Sequence, residues 1–199
     1  MEKTKWISTG NTVFEDENFK QVDFSKSSLV EYTFTGCLFE GCTFMESDWK
    51  KASFLSCVFN GCDIGLVSLE DARFQDVRFV DCKVTGMEFF KCDHSLLFSM
   101  ELNSCFLQYC NFSDLNMNKT NFKKSKIQKC FFTNTSLMES DFGDCDLLET
   151  VFHSCNLRKA NFGGAKNYNI NPLVNDVKKA KFSFPEAVSL LKGLDVKIL

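Results

Sequence analysis

The chain has 199 residues, 44% of them hydrophobic and 25% charged, with a formal net charge of −3. With only 10 glycines and 2 prolines, this composition excludes a disordered or collagen-like chain and supports one domain with a packed core, plus a tail. No apolar run is long enough to span a membrane; 11 cysteines, an odd number, and no basic and apolar leader in the opening "MEKTKWISTGN" point to a reducing cytoplasm.

Residues 1–13 carry no repeat and are expected to cap the N-terminal end. From Phe14, a step of five residues meets Phe19, Phe24, Leu29, Phe34 and Phe39, and goes on meeting large apolar residues as far as Phe89, failing only at His94. A second run starts at Leu102 and continues by fives to Phe162 without a failure. Neither the period of 2 of a strand nor the period of 3.6 of a helix fits this spacing. A five-residue unit cannot bury its own apolar side chain, so such units must stack into a continuous core, with coils about 4.8 Å apart.

Taking these apolar positions as i, all 11 cysteines fall at i−2, as in Cys37 and Cys42 of "TFTGCLFEGCTF". Where cysteine is missing, i−2 holds other small residues, such as Ser47, Ala52, Ala72, Ser125 or Ala160. The position therefore selects for small and buriable, and free cysteine packs as a small hydrophobe. A zinc site would need clustered, convergent ligands instead, so no metal or cofactor is expected.

Segments such as "CTFME", "ASFLS", "ARFQD" and "ANFGG", small at i−2, polar at i−1 and apolar at i, resemble the pentapeptide-repeat family from Phe14 to about Gly164. The resemblance implies an all-β solenoid, a right-handed quadrilateral β-helix with four pentapeptides per turn and with i and i−2 facing inward.

The register breaks once, between His94 and Leu102, where the interval is eight. Reading three residues as inserted keeps Phe19, Phe39, Phe59, Phe79, Leu102, Phe122, Phe142 and Phe162 on one wall, and puts Cys42, Cys62, Cys82, Cys105 and Cys145 in one column interrupted by Ser125. Reading two residues as deleted scrambles both, so a bulge or short loop with exposed extra residues is expected within 95–100. His94 is read as a histidine bonded to backbone beside this irregularity. A catalytic histidine would need a nucleophile or carboxylate beside it, and no triad, metal centre or phosphate loop assembles, so the chain is expected not to be an enzyme.

After Gly164 the repeat dissolves into a tail, residues 165–199. Ser183 and Glu186 have capping-box spacing and Pro185 suits a first helical turn, so a short helix is predicted from about Phe184 to Lys192, ending at Gly193 and followed by an extended "LDVKIL". Phe184, Val188, Leu191, Leu194 and Ile198 are then apolar residues that so short a helix cannot satisfy alone. The tail is similar to the C-terminal segment of quinolone-resistance members of the family (Qnr and MfpA type), which implies a homodimer formed end to end through it; a simple cap is the alternative.

The tail carries six lysines and three acids, leaving 17 basic and 23 acidic residues before it, a net −6. Lys119, Lys123, Lys124, Lys126 and Lys129 make a stretch without acids, and Glu139, Asp141, Asp144, Asp146 and Glu149 one without bases; solvated faces are the plain reading of both. The resemblance to quinolone-resistance members implies a DNA-like acidic rod that engages a type II topoisomerase, DNA gyrase or topoisomerase IV, and protects it from fluoroquinolones, with those five acids as the partner-binding set. The chain's acidity is modest and broken by the lysine stretch, and long loops between coils are lacking. A dimeric scaffold for another protein, docking through outward Phe90, Phe106 and Phe131, is the second expectation. An acidic stripe would favour the first and an exposed aromatic patch the second. Direct nucleic-acid binding through the lysines is disfavoured by the overall acidity.

Overall fold

The computed structural model describes residues 10–95 and 98–194. The backbone turns a corner every five residues and returns above itself after twenty. Val13–Glu15 pairs in parallel with Thr33–Thr35, which pairs with Ser53–Leu55, which pairs with Arg73–Gln75. A second wall starts from Asn18–Lys20 over Leu38–Glu40, and a third holds Asp63–Gly65 beside Lys83–Thr85. The fourth shows most clearly where Phe131–Thr133 meets Val151–His153. The result is an all-parallel quadrilateral solenoid of the kind the repeat implies.

The central side chains fill the square. Phe19, Phe39, Phe59 and Phe79 stack at 5.0, 4.6 and 4.9 Å between ring centroids, nearly parallel, while rings of adjacent walls meet edge to face, as Phe39 does with Phe44. Both arrangements suit the aromatic quadrupole. All 11 cysteines are buried and free.

The corner residue, two after a central one, takes the left-handed backbone region on most turns whatever its identity, Lys91 in the 3-10 turn Phe89–Lys91 being an exception. Gly41 lies at φ 60° and Gly61 at φ 61°, but Leu66 lies at 52° and Lys124 at 60°. Such a φ costs a residue with a Cβ and glycine nothing. The repeated inter-coil hydrogen bonds, such as Gln21 N–H to the Glu40 carbonyl at 2.8 Å, hold the non-glycine corners there.

The break is an insertion of three residues, as the columns require. Pairing jumps from a spacing of twenty to twenty-three, with Leu102 opposite Phe79 and Met100 opposite Val77. Residues 96–97, within the expected bulge, lie outside the described residues. Met100, placed in that bulge by the sequence, is buried and begins the strand Met100–Asn103. Phe98 is half-buried against the core, meeting the Phe74 ring edge-on at 6.4 Å. His94 leaves the central position for solvent, and its Nδ1 lies 2.9 Å from the Cys92 carbonyl oxygen, which it reaches as a donor.

The coil goes on beyond Gly164, where the repeat was expected to dissolve. Tyr168 and Ile170 are buried, Phe162 stacks on Phe182 at 5.1 Å, and Asn161–Phe162 pairs with Lys181–Phe182. The predicted α-helix from Phe184 is instead a 3-10 helix over Glu186–Leu194, after a cis peptide between Phe184 and Pro185. The capping box does not form. Ser183 Oγ accepts the Gly164 N–H at 2.9 Å and Glu186 Oε1 accepts the Asn167 N–H at 2.7 Å, so both side chains close the exposed edge of the solenoid. Leu190 packs against the core, whereas Phe184, Leu191 and Leu194 are exposed and Val188 is half-buried. Leu194, expected to open the extended ending, instead closes the 3-10 helix; Ile198 and the other residues of 195–199 lie outside the described residues, as do residues 1–9 of the N-terminal cap.

Candidate interaction surface

The thiols have a role beyond filling space. Cys42, Cys62, Cys82 and Cys105 each point Sγ at the carbonyl oxygen of a central residue on the preceding coil, respectively Phe19, Phe39, Phe59 and Phe79, at 3.2 to 3.4 Å. Ser125 does the same to Leu102 and Thr150 to Ile127 through their hydroxyls, and Asn175 through its amide to Phe152. The i−2 position therefore takes small residues, and many of those with a thiol, hydroxyl or amide also donate to the preceding coil, a bond that size alone does not reveal; Ala52, Ala72 and Ala160 fill the position without donating. Burial, the largest influence, pushes the Cys145 thiol up to about 12, which removes the thiolate that metal binding or nucleophilic chemistry requires. Among the described residues no group of acids, cysteines and histidines is placed to hold a metal ion.

The outer positions carry the charge, and it is organised by the stacking. Residues twenty apart sit one above another, so opposite signs meet between coils: Lys20 with Glu40 at 2.8 Å, Lys83 with Asp63 at 3.1 Å, Arg73 with Asp93 at 2.9 Å. Of the five acids singled out in the sequence, Glu139, Asp146 and Glu149 follow this rule, and Asp141 meets a lysine eighteen residues away. Glu139 meets Lys159 at 2.7 Å, and that lysine, with Lys119 nearby, holds the carboxyl below its ordinary range. Asp141 stands 3.6 Å from Lys123 and accepts hydrogen bonds from the Asn161 amide and the Gly143 N–H, both at 2.8 Å. Asp146 lies between Lys126 and Lys166 on neighbouring coils and accepts from the Asn167 amide, and Glu149 faces Lys129 at 3.8 Å.

These acids do not form a stripe along the rod. Glu139, Asp144 and Glu149 occupy three successive corners of one coil, with Asp141 and Asp146 on the walls between them, so they run across half the girth of the solenoid as a belt. The lysine stretch is the coil before it, stacked so that the two largely neutralise each other. Sequence order separated the two charge blocks; the twenty-residue turn superposes them.

Of the aromatics expected outside, Phe90 and Phe106 are half-buried and Phe131 is 45% exposed. Phe131 belongs to a larger apolar strip. Val151 is its strand partner on the fourth wall, and Leu148 and Tyr109 lie on the adjoining corner region, all exposed, with Lys129 Nζ 5.7 Å from the Tyr109 ring centre. The sequence carried the signal, since large apolar residues at i−1, i+1 and i+2 face outward, but Tyr109, Leu148 and Val151 were not singled out. No helix among the described residues is long and apolar enough to cross a membrane.

Comparison with known proteins agrees with this geometry. A family model described as a pentapeptide repeat region matches residues 32–97, and one described as pentapeptide repeats matches 101–134 and 135–166. A search of curated proteins finds no match. Among solved structures, a trypsin-treated variant of QnrB1, a plasmid-mediated fluoroquinolone resistance protein, is 19% identical with a TM-score of 0.57, covering 94% of this chain and 90% of its own. HetL, a pentapeptide repeat protein involved in heterocyst differentiation regulation from the cyanobacterium Nostoc sp. strain PCC 7120, is 14% identical with a TM-score of 0.53, covering 90% and 92%. Together with the five-residue walls and the i−2 donors, these matches establish that the chain belongs to the pentapeptide-repeat family.

Proposed function

We propose that this chain is a non-catalytic binding rod of the cytoplasm that docks a protein partner through the apolar strip of Tyr109, Phe131, Leu148 and Val151. The observation that carries this reading is the contrast between two surfaces. The strip leaves large side chains in water on one side of the rod, which marks an interaction site, whereas the acidic belt is offset by stacked lysines and lacks the unbroken negative field of a DNA surrogate. Exposed Phe184, Leu191 and Leu194 at the C-terminal end support a homodimer through the tail. The test uses the full chain as bait beside a variant carrying Phe131→Asp and Val151→Asp. A partner held by the parent and released by the variant supports the docking strip; identical captures refute it.

A second reading, protection of DNA gyrase or topoisomerase IV from fluoroquinolones, is favoured by the fold likeness to QnrB1 over nearly the whole chain. A gyrase supercoiling assay with and without ciprofloxacin decides it. Restored supercoiling in the presence of drug supports it, and no effect at excess protein removes it.

A further inference from the structure

The alternation of charge between coils is nearly complete, and its failure is confined to one place. The corner column Glu31, Lys51, Asp71, Lys91, Asp114 changes sign at every step. Among the described residues, every other column with ionised side chains on successive coils behaves likewise, except along the edge between the first and second walls at the last coil. There Lys178 follows Arg158 and Lys179 follows Lys159, and the coils are in direct contact, with the Lys159 N–H bonded to the Lys178 carbonyl at 3.0 Å. Lys181 adds a third cation beside them, paired through its backbone with Asn161. All three lysines are exposed, and none has a carboxylate within 4.0 Å among the described residues, because Asp176 and Glu139 are engaged by Arg158 and Lys159.

Like charges directly opposite across strands are unfavourable. A chain that neutralises itself down all its other columns therefore keeps this cluster at a cost in stability, the mark of a surface held for a partner. The partner's chemistry follows from the surroundings. The site calls for a compact anion, since the cationic patch spans two coils. A long nucleic acid is disfavoured because the residues before the tail carry net −6, and because the edge itself offers Met138, Asn161 and Gly163, the exposed Phe184 ring standing beyond Phe182 rather than among the lysines. We propose that the edge formed by Lys178, Lys179 and Lys181 binds an acidic segment of a protein partner, a short run of aspartates or glutamates. This surface is distinct from the apolar strip, so its test does not depend on the strip's role.

The experiment measures fluorescence anisotropy of labelled oligoglutamate, oligoglutamine and a short thymidine oligonucleotide against the full chain. Oligoglutamate should bind best, weaken as salt rises, and lose affinity by roughly tenfold or more with Lys178→Glu, Lys179→Glu and Lys181→Glu combined. Should that variant fail to fold, Lys178→Gln and Lys181→Gln singly are expected to show the same loss in smaller steps. Lys179→Glu alone places a carboxylate beside Lys159 and should raise the melting temperature while weakening the peptide. Tighter binding of the oligonucleotide, absence of oligoglutamate binding, binding untouched by the substitutions, or a lower melting temperature for Lys179→Glu would each overturn the proposal.

Discussion

Phe59→Ala tests the inward wall at its middle. The ring is fully buried, stacked on Phe39 at 4.6 Å and Phe79 at 4.9 Å, and it meets Phe54 and Phe44 edge-on at 5.5 and 5.7 Å. Truncating a core phenylalanine costs about 3–5 kcal/mol, and the rigid coils on either side cannot collapse into the space, which places this site toward the upper end. Each lost ring pair adds roughly 0.5–1.5 kcal/mol beyond buried area, partly within that range. For a chain of this size, about 2–4 °C per kcal/mol translates this into a fall in melting temperature of about 6–20 °C. Thermal unfolding followed by far-ultraviolet circular dichroism reads it. The double variant with Phe79→Ala should cost less than the sum of the two, because the rings share one contact. A loss below about 1 kcal/mol for Phe59→Ala would mean that the side chain is not part of a packed column, and the solenoid core would be wrong.

Other outcomes follow from the same geometry. The thiols should resist alkylation until denaturant is added; rapid labelling of several in the native protein would refute their burial. Because the folded state raises the Cys145 thiol from an ordinary 9.0 to about 12, its contribution is complete below about pH 9 and lost as pH rises toward 12; urea midpoints of the parent should therefore fall more steeply over that window than those of Cys145→Ala, and parallel curves would contradict the burial. Thr150→Val removes the 2.6 Å bond to the Ile127 carbonyl and should cost about 1–3 kcal/mol by chemical unfolding; an unchanged midpoint would show that the i−2 donors are only fillers. Phe184→Glu with Leu191→Glu should yield a monomer by light scattering while leaving the caps from Ser183 and Glu186 in place, and a surviving dimer would remove the tail from the interface. Reversing Glu139, Asp141, Asp144, Asp146 and Glu149 to lysine should lower stability by breaking the stacked pairs yet leave partner capture intact; loss of capture with the fold retained would return the acidic belt to the binding site.

The walls and the break were legible in the sequence because an error of one residue would turn every phenylalanine outward, so the register is written in apolar residues. The last coil was not legible: Tyr168 and Ile170 abandon the five-residue spacing and Asn175 replaces a small donor with an amide. The capping box misled because Ser183 and Glu186 have donors of the solenoid edge within reach, and tertiary context overrides a local signal in so short a helix. The charge surface was the hardest to read. Lysine and acid stretches twenty residues apart look segregated along the chain and become neighbours only when the coil length is applied to them, and the same step exposes the unpaired lysines at the end.

The most direct measurement of the central claim is site-specific photocrosslinking. A photoreactive amino acid is placed in turn at position 131 on the apolar strip and at position 78, where Arg78 is exposed on the second wall, across the square from the fourth. The account predicts a discrete crosslinked partner from position 131 and none from position 78. Equal crosslinking from both positions, or a partner captured only from position 78, would contradict a docking strip on the fourth wall.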